Sequence, residues 1–242
     1  MDGYVHSFES MAAVDGAGIR YAVFLAGCPL RCVYCHNPDT WHRAVGKPIS
    51  AEALVRKVAR YKPYFKTTGG VTFSGGEPLC QAAFICETAP LLSREGIGYI
   101  LDTSGAVPLT DEVRCAIDRS DGLLLDLKFP DDDLYLRYTG HGIDEVLRTL
   151  AYLDEVNKPT VVRTVIVPGI NDREDLLRRY LDRLNGHRCV RRYELLPFHT
   201  MGFFKYENLA IPNPLSDKEA LPHDVLERLQ SLVNENITLQ NA

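Results

Sequence analysis

The chain has 242 residues, of which 45% are hydrophobic and 24% charged, and its formal net charge is −5. This composition suits an ordinary α/β domain with a sizeable core, and with no long basic block it disfavours nucleic acid as a partner. The first residues lack a basic region followed by an apolar run, and no window approaches the ~18 uninterrupted apolar residues of a membrane span, so neither a secretory signal nor a membrane segment is expected.

In chain order, an apolar and aromatic strand is predicted over residues 21–26. Ser50 reads as the N-cap of a helix over 51–61, with Leu54, Val55 and Val58 on one face. A short strand follows at 70–73, then a helix over 80–94. Residues 99–101 form a third strand, and Thr110-Asp111 starts a helix to 119. The run 123–127 is almost wholly apolar and gives a fourth strand, followed by a helix over 144–156. Residues 160–167 are dense in Val and read as the fifth strand. Asn171-Asp172 starts a helix to 184, 193–196 is the sixth strand, 202–217 is loop, and 222–235 is the last helix. Apolar strands alternating with helices predict a parallel sheet with crossover helices. Six such units make a partial or full barrel, read as one domain over 1–242. The segment 1–20 and the tail 203–242 would pack on that core. Chemistry on such a sheet belongs at the carboxyl ends of the strands.

The cysteines point to that end. There are seven, an odd number in a chain of ordinary size, so a disulfide framework is a poor reading and a reducing cytoplasm the better one. Cys28, Cys32 and Cys35 follow the first strand with the spacing C-x3-C-x2-C. Thiolates are soft ligands for iron–sulfur clusters or zinc. Three on one loop can hold three corners of a cubane and leave one iron open for a ligand. A zinc site with His36 as fourth ligand is the alternative, but zinc sites usually join two separated pairs. Cys80, Cys86, Cys115 and Cys189 read as thiols without a role.

Other polar groups also fall at strand ends. Gly75, Gly76 and Glu77 follow the second strand, where paired glycines let the backbone approach a ligand closely. Asp102 ends the third strand. Asp126, Leu127 and Lys128 end the fourth, and the two charged residues share a face. A carboxylate in an apolar run needs a partner, which Lys128 or Arg163 could supply. Arg163 itself stands in the Val-rich fifth strand and needs an anion. His199 follows the sixth strand.

The C-x3-C-x-aromatic-C loop, with Tyr34 at the aromatic position, resembles the signature of radical S-adenosylmethionine (SAM) enzymes. HSFES and VDGAGIR near the N-terminus resemble segments of the pyruvate formate-lyase-activating enzymes. So do CVYCHNPDTW, SGGEP, LDTSG, LLLDLK, VRTVIVPGIND and ELLPFH, in order and spacing. The likeness covers most of residues 6–200. It differs at Ala17, where that family has proline, and at Leu124, where it has methionine.

This resemblance implies the radical SAM fold, an α/β partial (β/α)6 TIM-like barrel in a single domain, and an oxidoreductase of the formate C-acetyltransferase-activating type. It implies a [4Fe–4S] cluster on Cys28, Cys32 and Cys35. Tyr34, Cys35, His36, Gly75, Gly76, Glu77, Asp102, Asp126, Leu127, Lys128, Arg163 and His199 would surround SAM, with Lys128 and Arg163 toward its carboxylate. Asp102 and Asp126 match positions of a monovalent cation site, for sodium or potassium. Asp15 would face a substrate peptide. The implied reaction removes a glycine Cα hydrogen from a glycyl-radical enzyme, pyruvate formate-lyase being favoured, with flavodoxin or ferredoxin as electron donor. A monomer in the cytoplasm is expected, with no nucleic acid or membrane partner. No cysteine lies between Cys35 and Cys80, so a single cluster is expected. Two alternatives remain: another glycyl-radical enzyme as target, or a small-molecule substrate.

Overall fold

The computed structural model describes residues 1–237; the end of the predicted C-terminal tail, 238–242, lies outside the described residues. Two compact units are present. The first comprises Met1–Pro29 and Asp39–Leu124, the second Leu30–Pro38 and the chain from Leu125 onward.

The first unit begins with strand β1 (Asp2–Ala12), antiparallel to both β2 (Arg20–Leu25) and β3 (Lys47–Ser50). Strands β4 (Gly70–Gly75) and β5 (Tyr99–Thr103) add in parallel to β2. β6 (Gly122–Asp126) runs across the division between the units. The second unit contains β7 (Thr160–Ile166) and β8 (Val190–Pro197), also parallel. The strand order is β3-β1-β2-β4-β5-β6-β7-β8. β2 and β4–β8 are the six strands expected from sequence, extended by a few residues at β4, β5 and β8. β1 and β3 were not expected. β1 is largely half-buried or exposed, with only Gly3, Val5 and Ala12 buried, so it lacks the apolar run that marks the others.

Between the strands run the helices. In the first unit, α1 (Ala51–Ala59) is capped as predicted, with Ser50 Oγ accepting from Ala53 N at 3.2 Å. Its buried residues include Leu54, Val55 and Val58, and it stops before Tyr61. The one-turn α2 (Lys62–Phe65) follows. The helix predicted over 80–94 divides into a 3-10 turn, Pro78–Gln81, and α3 (Ala82–Arg94). The reason is local: the Glu77 side chain accepts from Leu79 N and tightens the first turn. α4 (Asp111–Asp118) is capped by Thr110. Cys86 on α3 and Cys115 on α4 form a disulfide, which corrects their reading as thiols. The pairing comes from two helices packing side by side, with Cα atoms 5.9 Å apart across 29 residues of sequence.

In the second unit, α5 (Asp132–Thr139) was not expected, although Asp131 caps it and Gly140 closes it at φ 71°. α6 (Asp144–Glu155) agrees with prediction. α7 (Glu174–Leu184) starts later than Asn171-Asp172 suggested. Asn171 instead accepts from Val167 N at 2.7 Å and donates to Val165 O at 2.9 Å, so it closes the turn after β7. α8 (Phe203–Asn208) lies within the predicted loop, and α9 (His223–Asn236) is the last helix. No helix among the described residues is long and apolar enough to cross a membrane.

Candidate active site

The first unit places Cys28, the Gly75-Gly76-Glu77 turn and Asp102 at the carboxyl ends of β2, β4 and β5. Gly27 has φ 104°, a region open to glycine, and its N–H donates to Thr40 O at 2.7 Å. Cys28 N donates to Trp41 O, so two consecutive amides fix the start of the cysteine loop. The SGGE turn is held against it. Glu77 N donates to Gly27 O at 2.8 Å, and a Cβ on Gly76 would meet that same oxygen at 2.5 Å. The close approach the glycines permit is therefore to the cysteine loop itself.

Glu77 is fully buried and its carboxylate accepts four protein hydrogen bonds. The donors are Leu79 N, Thr103 Oγ1, Ser104 N and Ser104 Oγ, at 2.5–3.0 Å. Burial raises its pKa, and these donors oppose that rise without cancelling it. Glu77 thus ties the turn after β4 to the loop after β5. Asp102 accepts from Ser74 Oγ at 2.8 Å. Asp15 lies on the β1–β2 connection, where its carbonyl accepts from Thr72 Oγ1 at 2.7 Å.

The second unit holds Cys32, Tyr34, Cys35 and His36. Arg31 N and Val33 N donate to Thr139 O and Tyr138 O at the end of α5, and Tyr206 Oη donates to Cys35 O at 2.9 Å. Burial pushes the Cys32 thiol up to about 12, with Lys128 pulling the other way. Tyr34 packs against Phe129. His36 stacks on His199 with ring centroids 3.9 Å apart, and its Nε2 lies 3.0 Å from the His199 carbonyl. Burial and the neighbouring His199 lower the His36 pKa to about 4, and burial lowers that of His199. Both rings are therefore neutral near pH 7. α8 closes over this corner, with Gly202 so near that a Cβ would meet His36 at 3.0 Å. No sequence signal marked Gly202 or Tyr206.

Asp126, Lys128 and Arg163 form one charged group. Lys128 Nζ donates to Asp126 Oδ2 at 2.9 Å, while Arg163 donates from Nε and a terminal nitrogen to Oδ1 at 3.1 and 2.9 Å. Leu127 N donates to Arg163 O, which joins the strand ends. Burial disfavours the Asp126 carboxylate, but the two cations outweigh it and hold its pKa below the usual value. Burial likewise opposes charge on Lys128, and Asp126 more than compensates, so the lysine is held well above its usual value.

Among the described residues, no three His, Cys, Asp or Glu side chains converge as a metal-binding group. The donor chemistry nevertheless fits an iron–sulfur cluster: Cys28, Cys32 and Cys35 are three soft donors within eight residues, and none is in a disulfide. Tyr34 Oη and His199 Nδ1 are among the buried polar atoms of the second unit that have no hydrogen-bond partner among the described residues. Such atoms are costly to leave unsatisfied, and a polar cofactor could satisfy them.

The sequence model of the radical SAM superfamily matches residues 23–181, and the chain belongs to that superfamily. The chain is 41% identical over 238 residues to the pyruvate formate-lyase-activating enzyme of Clostridium pasteurianum, covering 96% of this chain and 98% of that one. It is 37% identical to the enzyme of the same name from Staphylococcus epidermidis, covering 98% and 97%. Within the superfamily it belongs to the pyruvate formate-lyase-activating enzymes. A radical SAM methyltransferase from Sphaerobacter thermophilus shares its fold, with a TM-score of 0.63 at 19% identity, over 91% of this chain and 66% of that one. The expected α/β partial barrel is thus the fold, and the family implies a [4Fe–4S] cluster and SAM.

Proposed function

We propose that this chain installs a glycyl radical on pyruvate formate-lyase. The observation that carries this reading is the likeness to activating enzymes over nearly the whole chain, including the segments that flank the C-x3-C-x2-C loop. When bound, the cluster and SAM supply a one-electron cleavage that yields a carbon radical able to take a glycine hydrogen. The chain's own residues bind, orient and exclude solvent.

Cys28, Cys32 and Cys35 would hold the cluster and leave one iron without a protein thiolate. Lys128 and Arg163 present cationic groups for the SAM carboxylate, with Asp126 holding Lys128 in its charged form and aiming both side chains. Tyr34, His36, Leu127 and His199 would line the cofactor, His36 and His199 as neutral rings. Gly75, Gly76 and Glu77 would contribute mainly backbone, with Glu77 setting the path of the turn. Asp102 and Asp126 are proposed as oxygen ligands of a sodium or potassium ion. Asp15 is proposed as a contact of the substrate peptide. Flavodoxin or ferredoxin is the proposed electron donor, and the cytoplasm the proposed compartment, with the chain acting as a monomer.

The test is anaerobic EPR. The reconstituted protein, SAM and a reductant are mixed with purified pyruvate formate-lyase. A glycyl-radical doublet on the partner is expected, in step with SAM consumption. SAM cleavage with no protein radical would overturn the proposal, and a doublet only on a different glycyl-radical enzyme would reassign the partner.

A further inference from the structure

A cavity of about 630 Å³ opens in the first unit at the amino ends of β2, β4 and β5. The Cys28 loop, the SGGE turn and Asp102 stand at the opposite ends of those strands. Its lining is unusually basic for a chain of net charge −5: Arg20, Lys62 and Lys66 line it, against Asp121 as the one carboxylate.

Arg20 is only 3% exposed. Its guanidinium donates to Thr72 Oγ1 at 3.0 Å, Thr68 O at 3.1 Å and Val71 O at 2.5 Å. All three acceptors are neutral. A guanidinium carries five N–H donors, so these bonds leave it unsaturated. Asp121 and Asp15 favour its charge electrostatically, but desolvation outweighs them. A buried cation set among neutral acceptors is stabilised by a counter-charge brought to it. The rim offers more donors. Lys62 Nζ donates to Glu95 O at 2.5 Å, leaving two of its three ammonium hydrogens. Lys66, the exposed residue that ends α2, adds a third cation to the lining.

We infer that this cavity binds a compact polyanion, with phosphate or polycarboxylate chemistry, held by Arg20 at the floor and by Lys62 and Lys66 at the rim. The site is separate from the radical chemistry and does not depend on the proposed reaction. It has a route to the loop before β2: the Thr72 hydroxyl that accepts from Arg20 donates to Asp15 O at 2.7 Å. A ligand drawing on Arg20 therefore acts two hydrogen bonds away from that loop.

The test uses cluster-loaded, full-length protein under anaerobic conditions at constant ionic strength. Inorganic pyrophosphate and malonate are titrated separately by calorimetry, with thermal melting as a second readout. Saturable binding of at least one probe is expected, and which one binds assigns the source as phosphate or carboxylate. The double variant Lys62→Ala/Lys66→Ala changes two exposed side chains, so its fold is preserved, and it should bind at least tenfold more weakly. Arg20→Gln should weaken binding further. No saturable binding of either probe, or undiminished affinity in the double variant, overturns the inference.

Discussion

At the residue scale, Asp126 gathers two cations into one charged group. Sequence analysis offered Lys128 or Arg163 as its partner, and the structure uses both. Asp126→Asn would leave two half-buried or buried cations without their counter-charge. The expected cost is about 2–3 kcal/mol, somewhat below the ~3–5 kcal/mol of breaking a fully buried pair, read from chemical denaturation. The pH dependence follows from the lowered pKa. Stability from ionised Asp126 is fully present above the unfolded value of ~3.9 and is lost as pH falls through the lower folded value. The native chain should therefore keep this contribution at pH ~4 and lose it only in stronger acid, whereas the Asn variant lacks it throughout; melting temperatures across that window check this. Lys128→Ala should weaken SAM binding by about tenfold, equivalent to ~1.4 kcal/mol, with the cluster intact. Unchanged affinity in a titration of the reconstituted protein would remove Lys128 from the cofactor contacts. Cys28→Ala should abolish cluster loading, and native iron and sulfide content after anaerobic reconstitution would refute its assignment as a ligand. The residues of this site were legible as isolated polar groups at strand ends. The stacking of His36 on His199 was not, because 163 residues separate them.

At the element scale, the loops after β2, β4 and β5 act together. Gly76 lies against Gly27 O, and Glu77 is bonded across to Thr103 and Ser104. Gly76→Ala should cost about 1–3 kcal/mol through overpacking of backbone against backbone and should lower cluster retention, as measured by melting and by iron content. The α3–α4 disulfide closes a loop of sequence separation 29. By loop entropy it contributes about 3–4 kcal/mol, so a reductant should lower the melting temperature of the native chain but leave the Cys86→Ser/Cys115→Ser variant unchanged. Helices with a Ser or Thr cap, α1 and α4, were readable because the cap bond is local. α7 was displaced because Asn171 turned back to the β7 end instead of capping forward. α8 was missed because its six residues make less than two turns, too short to show a period.

At the scale of the whole molecule, a mixed sheet with six barrel strands carries a basic cavity at the amino ends and polar groups at the carboxyl ends of the strands in its first unit. By itself, the sequence determined the six apolar strands, the order in which functional segments follow them, and the thiol trio with its spacing. Those features are local: an apolar run buries wherever it finds a sheet, and three cysteines within eight residues share one loop in any fold. Only the tertiary structure decided the antiparallel β1 and β3, the Cys86–Cys115 pairing, the three bonds that Thr103 and Ser104 make to Glu77 and the gathering of Arg20, Lys62 and Lys66 around one cavity. Each of these joins groups far apart in the chain. Their free energy comes from exclusion of water and from hydrogen-bond geometry that exists only once the elements have packed.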